Sequence, residues 1–316
     1  MDITYLLWWQ DFRNLIGDAL TPFMEAVSLF AVTYLIIIPV MIYWCINKRS
    51  GLFILSSYSL SGAFNAVLKL TVCAYRPWIR DSRIVPAGDA ITTATGYSFP
   101  SGHTIRASAS YGGIAVTTWK KLRWISYLCF AFIAVTAISR NYLGVHTPQD
   151  VLVALIEGFA ALFVIQKIFV YLEKHPEKED IFLIAGVLIG IASICYITLK
   201  PYPMDYVNGE LLVDPLRMMK DGYGDIGFFI GFCLGRFIDK KWVKFEPEWS
   251  KETLAAGIAG SVILFFMIQL LGSPLKEWFG LRWGALANNV IIVMFIMVIW
   301  PLVLKAVKKK HQEALR

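Results

Sequence analysis

Side chains able to do chemistry stand in three short groups, each beside an apolar segment: Lys69 with Arg76, Pro100-Ser101-Gly102-His103, and Arg140 with His146 and Asp150. The third group has the tightest internal logic. Thr147-Pro148-Gln149-Asp150 reads as a helix start, with Thr147 as cap and Pro148 in the first turn. Asp150 then takes the third helical position, where an acid completes a capping box. From there it can also hold the imidazole of His146, four residues earlier, so that the free ring nitrogen serves as nucleophile or base. The two roles are compatible. Arg140 offers a planar fork for two phosphate oxygens.

In the first group, Lys69 and Arg76 are seven residues apart, two helical turns, which puts them on one face. Pro77 disfavours helix at Arg76, so the spacing predicts a helix end there with Arg76 at the rim. One cation below and one above suits a tetrahedral anion; the plain alternative is a pair of snorkelling interface residues. In the second group Ser101 can cap a helix whose first free N–H groups, at Gly102 and His103, point outward and attract an anion. Gly102 permits close approach to the backbone, and the alternative for His103 is a wet interfacial histidine. Three cations converging on one face call for an anionic ligand, and two histidines add a nucleophile and a proton donor. Phosphoryl transfer asks mainly for positioning and charge stabilisation. No carboxylate cluster suited to magnesium and no His/Cys set suited to zinc stands in the sequence, so the expected chemistry uses no metal and no cofactor.

The elements that must hold these groups are membrane helices. Of 316 residues, 57% are hydrophobic and 17% charged, with a mean hydropathy of +0.58. An ordinary soluble protein carries roughly 25% charged residues, and disorder needs few aromatics, whereas 15% of this chain is Phe, Trp or Tyr. The formal charge of +7 is read as basic cytoplasmic loops rather than nucleic-acid binding. The five cysteines form no C-x-x-C pair and read as small apolar residues. Met1-Asp2 opens no basic leader, so no cleavable signal is expected.

Nine apolar segments are candidate spans: 26–46, 51–73, 103–119, 124–139, 148–170, 181–199, 222–238, 253–275 and 283–304. The seventh is the weakest, with Asp225 and Arg236 near its ends. Counting it puts Lys48-Arg49, Lys120-Lys121, Lys174, Lys240-Lys241 and the Lys305–Lys310 tail all in the cytoplasm. The three reactive groups then share the outer face. Residues 3–24 carry an apolar stripe and read as an N-terminal interfacial helix, or as a cap packed on the bundle. Gly186/Gly190 and Gly227/Gly231/Gly235 read as internal helix-packing seams. The outer connection 200–221 reads as a plain loop able to cover the site. Arg106, one turn below His103, and Glu157, two turns below Asp150, are expected to pair, because an isolated intramembrane charge is costly. The expected architecture is all-α: a polytopic bundle with an interfacial helix at 1–25, a catalytic core at 26–170 and additional spans at 171–316.

Lys69-x6-Arg76-Pro77, Pro100-Ser101-Gly102-His103 and Ser139-Arg140-x5-His146-x3-Asp150 together resemble the three signatures of the type-2 phosphatidic acid phosphatase superfamily, in order and without departure in spacing. The resemblance covers about half the chain. It implies that His146 is a nucleophile forming a phosphohistidine and that Asp150 orients it. It implies that His103 is the general acid, and that Lys69, Arg76, Ser101, Gly102 and Arg140 hold phosphoryl oxygens. It further implies a lipid phosphate substrate of the phosphatidate kind; the loop charges put the site on the extracytoplasmic face and the C-terminus in the cytoplasm, and the short loops suggest a bacterial plasma membrane. Undecaprenyl pyrophosphate and sugar phosphates are the other substrates the family admits, and nine spans are similar in layout to glucose-6-phosphatase. A transporter is disfavoured, since its polar residues would gather at the membrane midplane rather than at helix ends.

Overall fold

The computed structural model describes residues 2–207 and 209–314. Met1, Asn208, Leu315 and Arg316 lie outside the described residues, and with them the first position of the 1–25 region and the end of the 171–316 region.

Helix α1 (Asp2–Leu15) ends at a break where Gly17 and Asp18 adopt left-handed backbone, and α2 (Thr21–Thr33) begins after it. The helix predicted over 3–24 is therefore two helices. The first packs on the bundle: Leu6 and Arg13 are buried, Trp9 stacks edge-on to Tyr142, and Arg13 donates to the Val85 carbonyl at 2.7 Å. α2 and α3 (Ile37–Met41, continued to Ile46) meet at a 44° bend. Asn47 caps α4 (Lys48–Val72), which stops where Cys73 turns left-handed. Two short helices follow, α5 (Pro77–Arg80) and α6 (Ala90–Thr93). Then come α7 (Gly102–Thr118), α8 (Arg123–Tyr142), α9 (Pro148–Lys174) and α10 (Glu179–Leu199). A two-stranded hairpin, β1 (Tyr206–Val207) and β2 (Glu210–Leu211), leads into α11 (Pro215–Ile238). The chain closes with α12 (Lys251–Leu270), α13 (Gly272–Phe279), α14 (Leu281–Met294) and α15 (Trp300–Ala314).

Each of the nine predicted segments is mostly helical, with 26–46 broken between α2 and α3 and 253–275 broken between α12 and α13, and the count of nine spans is not confirmed. Among the described residues, six helices are long and apolar enough to cross a membrane, or seven if the bent pair α2–α3 is one span. The two that fall short are α7, only 17 residues long, and α11, which carries Arg217, Lys220, Asp221, Asp225 and Arg236. Both are lined up inside the bundle, where neighbouring protein rather than lipid meets their polar faces. A further correction concerns Arg106. It pairs not with Glu157 but with Asp225 of α11, at 2.6 Å. Glu157 instead accepts from Asn65 of α4 at 3.1 Å. Helical phase shows which residues share a face, not which neighbour that face meets.

The glycine seams are internal. A Cβ on Gly186 would lie 2.6 Å from Cys233 Sγ, and one on Gly227 would lie 2.7 Å from the Leu286 carbonyl oxygen. Glycine is what brings α11 onto α10 on one side and α14 on the other. Gly227→Ala would meet the Leu286 backbone first, which cannot swing aside as a side chain can. It is expected to destabilise the protein by about 1–3 kcal/mol, read as an earlier thermal unfolding transition in detergent.

Candidate active site

The site lies at the bundle end where α4 finishes and α7 and α9 begin. The sequence at 147–150 builds the α9 start as expected. Thr147 Oγ1 accepts from the Asp150 N–H at 3.3 Å, and Asp150 Oδ2 accepts from the Thr147 N–H at 2.8 Å. The same carboxylate oxygen lies 3.3 Å from His146 Nδ1 and accepts from Ser98 Oγ at 2.5 Å. On the other side of the ring, Arg76 Nη1 is 2.9 Å from His146 Nε2. A guanidinium can only donate, so Nε2 is the acceptor and the proton sits on Nδ1, toward Asp150. Burial, and then the adjacent Arg76 charge, hold the His146 imidazole well below the ordinary histidine range, against the opposing pull of Asp150. The ring is therefore neutral at neutral pH, with one lone pair.

Arg76 is not at the rim. The left-handed turn at Cys73 and the Arg76-Pro77 step fold the chain back after α4, so Arg76 is buried and does not continue the Lys69 helix. Its other N–H groups reach the carbonyls of Thr95, Gly96 and Val145 at 2.7–3.0 Å. Lys69 Nζ donates to the Tyr97 carbonyl at 3.0 Å and contacts those of Ser98 and Pro100. The two cations thus also tie down the 95–100 loop, which delivers Ser98 to Asp150 and the chain to the start of α7. There Ser101 caps the helix, its Oγ accepting from the Thr104 N–H at 3.4 Å, and its own N–H donates to the Asp150 carbonyl at 3.0 Å. The second and third residue groups are in this way joined backbone to backbone.

Lys69, Arg76, Gly102, His103 and His146 line one cavity of about 460 Å³. Ser101 and Asp150 stand behind that wall. Arg140 is fully buried and lines a smaller neighbouring cavity of about 220 Å³, which shares Thr92 and Thr93 with the first. One of its nitrogens contacts Ser28 Oγ. Among the described residues, Arg140 Nε and Nη2 and His103 Nε2 are buried without a hydrogen-bond partner. Unmatched donors of this kind cost free energy that a bound anion would recover.

Sequence reasoning missed Ser98, which has no helical register to announce it. It also missed the far wall of the cavity, built by α11, α13 and α14 with Lys220, Asp221, Asp225, Lys276, Asn288 and Asn289. Predicted to open at 222, α11 starts seven residues earlier, capped by Asp214, whose Oδ1 accepts from the Leu216 N–H. That start brings Asp221 to the cavity, where it accepts from Thr95 at 2.8 Å.

Residues 50–174 match the PAP2 superfamily. Over 158 residues the chain is 31% identical to phosphatidylglycerophosphatase B of Bacillus subtilis (strain 168), covering 48% of this chain and 73% of that protein. The chain belongs to the type-2 phosphatidic acid phosphatase superfamily and is a membrane phosphatase. No solved structure matches it.

Proposed function

We propose that the protein removes phosphate from a phosphatidate-like lipid monophosphate without a metal, through a phosphohistidine. The observation that carries this reading is the neutral His146 ring, held between Asp150 and Arg76 on the wall of a cation-lined cavity. His146 Nε2 attacks phosphorus while the bond to the leaving oxygen breaks. His103 gives that oxygen its proton, and Asp150 stabilises the charge that develops on the His146 ring. Water, deprotonated by His103, then attacks the phosphohistidine. The P–N bond breaks, inorganic phosphate leaves, and both histidines return to their starting states. Lys69, Arg76 and Gly102, which line the cavity, stabilise the equatorial oxygens, and Ser101 and Arg140, set behind that wall, are proposed to complete the phosphate site.

The proposed catalytic core is 26–170, with 1–25 as its cap and 171–316 as added helices. The proposed setting is a bacterial plasma membrane with the site on the extracytoplasmic face and the C-terminus in the cytoplasm. Supporting that orientation, the basic segments gather at the opposite end of α4 from the site: Lys48 pairs with Asp239 at 3.0 Å, and Lys308 pairs with Glu248 at 2.8 Å.

The test is phosphate release by the purified protein in detergent with excess EDTA, using phosphatidate, undecaprenyl pyrophosphate and glucose 6-phosphate in parallel. Release from phosphatidate, unaffected by chelation and suppressed by micromolar to millimolar vanadate, is the expected result. Dependence on added divalent metal, or indifference to vanadate, overturns the mechanism. Release from glucose 6-phosphate alone overturns the substrate class.

A further inference from the structure

Helix α1 lies wholly before the segment that matches the family, yet one face of it grips the chain that builds the active site. Leu6, Trp9, Gln10 and Arg13 fall at i, i+3, i+4 and i+7, so they share that face. Leu6 is buried, and Trp9 meets the Tyr142 ring edge-on at 5.7 Å. The polar members hold backbone. Gln10 Nε2 donates to the Arg83 carbonyl at 3.0 Å, while its Oε1 accepts from the Val85 N–H at 2.8 Å. The amide thus engages a donor and an acceptor of the loop together, as a neighbouring strand would. Arg13 Nη2 donates to the Val85 carbonyl at 2.7 Å, and Asp2 pairs with Arg80 at 2.7 Å where the loop begins. Packing alone does not call for arginine at 13. The side chain is 4% exposed, and among the described residues its Nε and Nη1 have no hydrogen-bond partner. A methionine would fill much the same space with no donors to match.

The gripped loop touches both reactive groups. On its inner edge the Ala87 N–H donates to the Leu143 carbonyl at 3.1 Å, and Ala87, Leu143 and Val145 share an apolar cluster with Trp9 and Phe12. Val145 immediately precedes His146. Downstream, tight turns carry the loop through α6, with the Ala90 N–H on the Ala87 carbonyl at 3.2 Å and the Ala94 N–H on the Ile91 carbonyl at 3.0 Å. They end at the Thr95 and Gly96 carbonyls, which accept from Arg76 at 2.7 and 3.0 Å. Resting on the phosphatase reading above, we infer that Gln10 and Arg13 are positioning residues for the reaction. Acting through the 81–96 segment, they hold the Arg76 guanidinium at its place 2.9 Å from His146 Nε2. α1 is then part of the active-site framework as well as a cap on the bundle.

The experiment measures phosphate release from phosphatidate in mixed micelles, and its inhibition by vanadate, for the full chain and for its Gln10→Leu and Arg13→Met variants. Both replacements keep apolar bulk and remove the bonds to the loop. In each, kcat is expected to fall about tenfold, the size of one lost polar contact, with KM within about twofold of the unmodified protein. The vanadate inhibition constant is expected to rise by about the same factor as kcat falls, because vanadate imitates the transition state that Arg76 stabilises. A smaller folded fraction would lower the apparent kcat and leave that constant where it was. An unchanged vanadate constant in both variants therefore overturns the positioning role, as does an unchanged kcat in both. Arg13→Lys keeps a donor for the Val85 carbonyl and is expected to recover most of what Arg13→Met loses; no recovery overturns the part given to Arg13. Gln10 is only half-buried, so Gln10→Leu decides alone if Arg13→Met does not accumulate. No phosphate release from phosphatidate, undecaprenyl pyrophosphate or glucose 6-phosphate by the unmodified protein overturns the phosphatase reading, whereas an active protein whose variants match it overturns only the role of α1.

Discussion

The His146→Ala protein is expected to release no phosphate above background from a lipid substrate that the unmodified protein hydrolyses, a loss of at least about 10⁴ in kcat. A missing nucleophile cannot be replaced by positioning alone, and what persists is the stabilisation offered by the surrounding cations. His146 sits in the turn between α8 and α9, and its side chain fixes neither helix. The fold should therefore survive, which detergent size-exclusion and circular dichroism would check. Removing the ring also leaves an Arg76 N–H and an Asp150 oxygen without the ring they contact. Rescue of slow turnover by added imidazole would place the missing function on the ring itself. Full activity in the alanine variant would overturn the phosphohistidine route.

Asp150→Asn separates orientation from helix capping. The amide keeps the shape and its oxygen can still accept from the Thr147 N–H, so α9 should still start at Pro148. What it loses is the negative charge opposite Nδ1. Without that charge the imidazolium-like ring formed on phosphorylation is no longer compensated, and the tautomer with the proton on Nδ1 is no longer enforced. The Ser98 hydroxyl loses its charged acceptor as well. The expected outcome is a fall of about 10²–10⁴ in kcat with KM changed much less, measured by phosphate release at saturating substrate. A change confined to KM would mean that Asp150 serves only the backbone of α9.

Much of this site is legible in the chain because capping is local. Thr147-Pro148-x-Asp150 and Ser101-Gly102 specify helix starts whatever surrounds them, and both starts form where they are read. The glycine series on α11 likewise announces a seam without naming its partner. What is not legible depends on which helix lies beside which. Arg106 and Asp225 are 119 residues apart, and no periodicity in either segment links them. Ser98 belongs to a loop whose shape is set by Lys69 and Arg76 reaching carbonyls. Asn288 and Lys276 lie on helices that look, as sequence, like ordinary late spans. The span count is unconfirmed for a related reason: α7 and α11 turn polar residues into one shared cavity, bridged by Arg106 and Asp225, and a hydropathy criterion cannot distinguish that from helices too polar for the bilayer.

The Arg106–Asp225 pair also bears on how the protein is made. A chain emerges N-terminus first at about 5–20 residues per second. The cation of α7 is therefore committed to the bundle some 6 to 24 seconds, in round figures, before its carboxylate leaves the ribosome. During that interval the half of the protein that carries the reactive histidines lacks the carboxylate that Arg106 meets in the finished bundle. The late helices thus complete an ion pair that the first half of the chain cannot make by itself.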